Sequence, residues 1–286
     1  MKRVILLFLL AAGYWVASAQ EVDLLRLGYD LPAIQSKQKG MAVSPDGKII
    51  VFLYEDKTVK VFDVTIGRFT KKFEAPYKDL FDVQLSSNQQ LILVENKIVR
   101  VIDLKTESEI NQYPLQAEAT KTTFSGKHNL LAVGQKEGYV AVIDLTAQKQ
   151  TFATQYKKHH VSALAIHPDG KKILVGVMSF LKSNNPLKQY DLVTGEEISE
   201  SPGGTFTMAT YDETGDHLII SGLNFLGTKS IVQVWDANTY EMTKSLESEF
   251  FIATITANGG IFTNNKLLAL TASRSFNVYD AESGSS

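Results

Sequence analysis

One short pattern recurs six times along the chain. An alternating strand ends in an aromatic or aliphatic residue followed by aspartate: Val61-Phe62-Asp63, Val101-Ile102-Asp103, Val142-Ile143-Asp144, Gln189-Tyr190-Asp191, Val234-Trp235-Asp236 and Val278-Tyr279-Asp280. Successive aspartates stand 40, 41, 47, 45 and 44 residues apart. A unit of that length cannot bury its own apolar face. It has to stack against its neighbours, so the period alone restricts the chain to a repeat architecture. The register extends upstream through Val59, Val99, Val140, Leu187, Val232 and Phe276, with mostly polar residues between. That alternation is the period of a half-buried strand.

A more uniformly apolar run precedes each of these strands: Ile49-Ile50-Val51-Phe52, Leu91-Ile92-Leu93-Val94, Leu130-Leu131-Ala132-Val133, Ile173-Leu174-Val175, Leu218-Ile219-Ile220 and Leu267-Leu268-Ala269-Leu270. Such runs suit strands covered on both faces. A turn stands before each one, sharpest at Ser44-Pro45-Asp46-Gly47 and His167-Pro168-Asp169-Gly170. Proline pre-sets the first turn angle there, and glycine accepts positive φ. Gly67, Gly195 and Gly284 follow their aspartates by four residues. Asp63, Asp103, Asp144, Asp191, Asp236 and Asp280 are read as structural: each caps the turn that follows by bonding its own downstream backbone.

On these residues the chain resembles the WD40-type β-propeller family across residues 20 to 286. Its best copy joins Ser44-Pro45-Asp46-Gly47 to Asp56-Lys57-Thr58-Val59-Lys60-Val61-Phe62-Asp63. Trp235-Asp236 is the single true tryptophan–aspartate pair, and the Gly-His dipeptide of the family is missing. The resemblance implies an all-β fold of four-stranded blades around a channel. The last copy lacks an outermost strand. Leu24-Leu25-Arg26-Leu27 is expected to complete that sixth blade, with a seven-bladed or truncated propeller as the alternative.

The first 19 residues carry Lys2 and Arg3, an apolar run, and Ala17-Ser18-Ala19. This is the pattern of a cleaved signal peptide, with Gln20 as the first mature residue and 20–286 as one domain. The run is shorter than the roughly 20 residues a membrane span needs. An extracytoplasmic product, periplasmic or secreted, is expected. The chain contains Cys 0, which excludes disulfides, thiolate metal sites and cysteine nucleophiles. A net charge of −2 advertises no nucleic-acid partner.

No catalytic constellation is visible. There is no Gly-x-Ser-x-Gly elbow and no phosphate-cradling loop, and no cofactor or metal is expected. His128, His167 and His217 fall at turns between first and second strands of three blades, around a rim and solvated, while His159-His160 precede the fourth blade. Asp212-Glu213-Thr214-Gly215-Asp216 faintly resembles a calcium loop but lacks the remaining ligands, and reads as another tight turn.

The irregular repeats are more informative. The second-to-third-strand connections of blades four and five are longer, and each carries a Phe-Leu pair: Phe180 with Leu181, and Phe225 with Leu226. In propellers resembling this one, that face commonly binds partners. Grouped apolar side chains there would form a hot spot. The expectation is an exported, non-enzymatic, monomeric platform for an unidentified protein partner. The alternatives are a secreted propeller enzyme, lactonase-like or metal- or quinone-dependent, and a glycan or small-ligand sensor.

Overall fold

The computed structural model describes residues 36–178, 187–201, 205–212, 214–223, 230–248, 260–263, 266–270 and 276–280. The leader, the strand proposed at Leu24–Leu27 and all four Phe-Leu residues lie outside them. The chain divides into two compact units, up to Pro114 and from Leu115 onward.

The first unit holds two four-stranded antiparallel sheets. One is β1 (Gln38–Val43), β2 (Ile49–Tyr54), β3 (Thr58–Asp63) and β4 (Arg68–Glu74). The other is β5 (Leu80–Leu85), β6 (Gln90–Glu95), β7 (Ile98–Asp103) and β8 (Ser108–Pro114). Strands pair in chain order, and the sheets meet through their first strands, β1 with β5. Their shared core joins Val51, Leu53, Val59 and Val61 to Val83, Leu85, Leu91 and Leu93.

The second unit repeats the plan. Its four-stranded sheets are β9 (Ala119–Ser125) to β12 (Lys149–Gln155) through β10 (Leu130–Gln135) and β11 (Tyr139–Asp144); β13 (His160–Ile166) to β16 (Glu197–Ser201) through β14 (Lys172–Met178) and β15 (Leu187–Asp191); and β17 (Thr205–Tyr211) to β20 (Met242–Ser248) through β18 (His217–Leu223) and β19 (Ser230–Asp236). A three-stranded sheet follows: β21 (Gly260–Thr263), β22 (Lys266–Leu270) and β23 (Phe276–Asp280). Among the described residues this last sheet has three strands. First strands again make the contacts, β9 with β13 and β13 with β17.

Burial follows the apolar pattern. All six residues of β10 are buried, whereas β4 at a sheet edge alternates between exposed and half-buried positions. A fully covered Leu or Ile contributes about 1.5–3 kcal/mol, so the second strands carry most of the packing energy. All six third strands end on the repeated aspartate.

Five of the six anchor aspartates are seen to lock the turn behind them. The Asp63 carboxylate accepts the Thr65 N–H at 2.8 Å and the Ile66 N–H at 3.3 Å. Asp103 takes Lys105 and Thr106 at 2.6 and 2.9 Å. Asp144 holds Thr146 and Ala147, both at 2.8 Å. Asp191 holds Val193 and Thr194 at 2.7 and 2.9 Å, and Asp236 holds Asn238 and Thr239, both at 2.8 Å. The fourth residue after each aspartate has positive φ: Gly67, Glu107, Gln148, Gly195 and Tyr240. Glycine serves two of these five turns, so the aspartate and not the glycine defines the motif.

Candidate interaction surface

The sheets present two ends. At one lie the connections between first and second strands and between third and fourth. At the other lie those between second and third strands, together with the passage into the next sheet.

At the first end, four turns between first and second strands are held by a side chain, Ser44, Ser86, His167 or Asp212, that bonds the turn's own backbone. Ser44 Oγ accepts the Ile49 N–H at 2.9 Å, and Ser86 Oγ accepts the Gln90 N–H at 3.0 Å. His167 Nδ1 accepts the Asp169 N–H at 3.2 Å. Asp212 Oδ1 accepts the Gly215 and His217 N–H groups at 2.7 and 3.2 Å. Asp212 Oδ2 also receives His217 Nδ1 at 2.9 Å and the Thr214 hydroxyl at 3.1 Å. Burial works to raise the Asp212 carboxyl, but these donors hold it below its ordinary value. Its oxygens are spent on the turn. These bonds tie Asp212 to Thr214, Gly215 and His217 across the turn.

The histidines require a correction. His128 and His167 are clasps between sheets rather than solvated turn residues. His128 Nε2 donates to the Pro168 carbonyl at 2.9 Å, and His167 Nε2 donates to the Gly215 carbonyl at 3.2 Å. His167 keeps 13% of its side chain exposed and stands edge-on to Tyr211 at 4.9 Å. A Cβ built on Gly170 would lie 2.5 Å from the His128 ring, and one on Gly215 2.4 Å from His167 Nε2. Each turn glycine thus also makes room for the imidazole of the preceding sheet. The sequence shows both halves of this clasp but not their pairing, because the partners are 40 and 48 residues apart.

At the second end, the last residue of the second strand holds the loop that leads into its own sheet. Glu95 Oε2 accepts the Lys78 N–H at 2.9 Å, and Gln135 Oε1 accepts the Ala117 N–H at 2.9 Å. Buried Glu95 is also paired with Arg100 at 2.6 Å, and Arg100 reaches Glu109 at 2.7 Å. The second-to-third connection of the third sheet is a single 3-10 turn, Lys136–Gly138. The Tyr156 N–H donates to the Gly138 carbonyl at 3.0 Å, and a Cβ at Gly138 would fall 2.1 Å from the Tyr156 carbonyl oxygen. Two loops of that end are thereby pinned together.

The connections bearing Phe180, Leu181, Phe225 and Leu226 leave from this same end. They run from Met178 to Leu187 and from Leu223 to Ser230, in two sheets that share a core containing Ala163, Leu174, Ala209, Leu218 and Trp235. Among the described residues no group of three or more His, Asp or Glu is placed to hold a metal, and no helix is long and apolar enough to cross a membrane.

Four-stranded antiparallel sheets, joined through their first strands and ended by aspartate-locked turns, fit a WD40-like β-propeller fold. No protein-family model matches the chain. The WD repeat-containing protein 55 homolog of Drosophila yakuba is 23% identical over 134 residues, covering 46% of this chain and 27% of that protein. Its Drosophila melanogaster counterpart is 22% identical over the same length. The match thus spans about a quarter of the relatives' own length. Among solved structures, Kuenenia stuttgartiensis hydrazine synthase superposes with a TM-score of 0.63 at 13% identity, over 88% of this chain and 80% of that one. At that identity the likeness concerns the fold.

Proposed function

We propose that this protein is an exported, non-enzymatic scaffold that binds a protein partner through the long second-to-third-strand connections of its fourth and fifth sheets. The observation that carries the reading is the contrast between the two ends of the sheets. One end is spent on turn-locking hydrogen bonds and histidine clasps. The other offers loops, and two of them are lengthened and carry Phe180-Leu181 and Phe225-Leu226. Rigid repeated sheets with variable loops supply recognition without a reactive group. The WD-repeat likeness supports the same class of function. Export rests on residues 1–19, whose charged start, apolar run and Ala17-Ser18-Ala19 fit signal-peptidase processing.

The test compares residues 20–286 with a variant carrying Ser at positions 180, 181, 225 and 226, both immobilised and exposed to cell-envelope extract. A partner retained by the first and lost by the folded variant is expected. Equal retention by both would remove these loops from the interface. Expression of the full chain should yield a product starting at Gln20. An intact Met1 in the cell interior would contradict export.

A further inference from the structure

Each four-stranded sheet carries a bulge near the start of its first strand. In the first three sheets the second-strand residue paired at the bulge is Tyr54, Glu95 or Gln135, opposite Gln38, Leu80 or Ala119. One cross-strand pair on the third and fourth strands recurs on the same face as these residues. It is Lys60 with Lys72, Arg100 with Gln112, Ala141 with Ala153, Lys188 with Glu200, and Gln233 with Ser245.

The cations at this position all have partners. Lys60 Nζ lies over the Tyr54 ring, 5.0 Å from its centroid. Arg100 pairs with Glu95 at 2.6 Å and with Glu109 at 2.7 Å. Lys188 meets Glu197 at 2.8 Å and Glu200 at 3.1 Å. The third sheet replaces the arrangement as a set. Ala141 stands where Arg100 does and Ala153 where Gln112 does, while Gln135 and Gln150 take the places of Glu95 and Glu109. Cation and carboxylates are exchanged together, so no charge is left without its partner.

The two alanines leave an open pocket of about 290 Å³, lined also by Gln135, Gln150, Gln155 and Tyr139 and by no charged residue. Gln135 is 1% exposed, and its Oε1 accepts the Ala117 N–H at 2.9 Å, which fixes the amide. Its nitrogen donates to no group among the described residues. Where Tyr54 and Glu95 are covered by a cation from the third strand, Gln135 meets the pocket instead.

We propose that this pocket of the third sheet binds one neutral sugar ring, a hexopyranose held by the glutamine amides against Tyr139. The class follows from the lining. An ionised ligand would enter without a counter-charge. An apolar one would leave the buried Gln135 amide unpaired. Each glutamine amide both donates and accepts, as a sugar hydroxyl does, and Tyr139 adds an apolar ring with a polar tip. The volume of about 290 Å³ lies just under the ~300–1,000 Å³ of pockets for drug-sized ligands, which limits the site to a single ring. The site is on a different sheet from the loops proposed for the protein partner.

The test is an NMR titration of the full chain with D-glucose, D-galactose and D-mannose, with gluconate and acetamide as controls. At least one hexose should give saturable shifts centred on the amides of residues 135, 139–141 and 150–155, and neither control should. Ala153→Gln puts into the pocket the side chain that the second sheet carries at Gln112, and should abolish the response. Gln150→Ala should weaken it roughly two- to tenfold. Both positions are exposed, and unmoved amide signals in the other sheets report that each variant is folded. No saturable response to any of the three hexoses would overturn the proposal. So would binding of gluconate or acetamide as tight as that of the hexose, or undiminished hexose binding in either folded variant.

Discussion

Glu107, Gln148 and Tyr240 sit at φ of 59°, 53° and 57°, where a side chain crowds its own backbone. Glycine takes the equivalent place at Gly67 and Gly195 without strain. Glu107→Gly and Gln148→Gly should therefore stabilise the protein, each by about 0.5–1 kcal/mol, measured as a shift of the urea midpoint. The reverse change separates two roles of glycine. Gly195→Ala meets open space and incurs the dihedral cost, about 1–2 kcal/mol. Gly170→Ala also drives its methyl into His128 and should cost clearly more. Equal losses at the two sites would deny the clasp.

The anchor aspartates set an acid limit. The Thr65 hydroxyl, with backbone N–H groups, holds Asp63 below its ordinary value of 3.8, and backbone N–H groups do the same for Asp103, Asp191 and Asp236. Lowered carboxyls stabilise the fold above 3.8 and lose that contribution as pH falls through their folded values. Exchanging these four aspartates for Asn keeps an acceptor oxygen in each turn. It should flatten the acid limb of stability, read as the thermal midpoint between pH 5 and pH 2. An unchanged slope would place the acid sensitivity elsewhere. The aspartates were legible because they recur at fixed spacing. The left-handed residues were not, because at three of the five described turns no glycine announces them.

Among the elements, the second strands bear the load. Leu131 and Ile173 are 0% exposed, and truncating either to Ala should cost about 2–5 kcal/mol. Thr70→Ala on β4, with a 3.3 Å bond from its hydroxyl to the Val61 carbonyl, should cost no more than about 1 kcal/mol. The denaturation midpoints of the three variants check this order. Strand identity and sheet membership could be read from the sequence, because apolar runs and alternating runs differ in period. The bulges could not. A one-residue insertion at the start of a first strand changes no period, and it is recognised from pairing across to the second strand. The histidine clasps were hidden for a related reason: His128 looks like an ordinary turn residue until the neighbouring sheet's Pro168-Asp169-Gly170 turn is placed against it.

For the molecule as a whole, the repeat accounts for the architecture, and the proposed function rests on its irregularities. Loops of standard length are tied to one another, as Gly138 is to Tyr156. The two connections that break the period bear the Phe-Leu pairs. That much is written in the spacing of the aspartates. The identity of a partner is not, since a hot spot depends on how side chains from separate loops group in space. The Lys121 bridge to the Thr207 carbonyl was equally illegible, because the two residues lie 86 positions apart in the chain. The most direct measurement is hydrogen–deuterium exchange of the protein alone and with its captured partner. Protection of segments 179–186 and 224–229, with the aspartate-locked turns unaffected, is the predicted result. Protection confined to those turns, with the two long connections exchanging as in the free protein, would contradict the account.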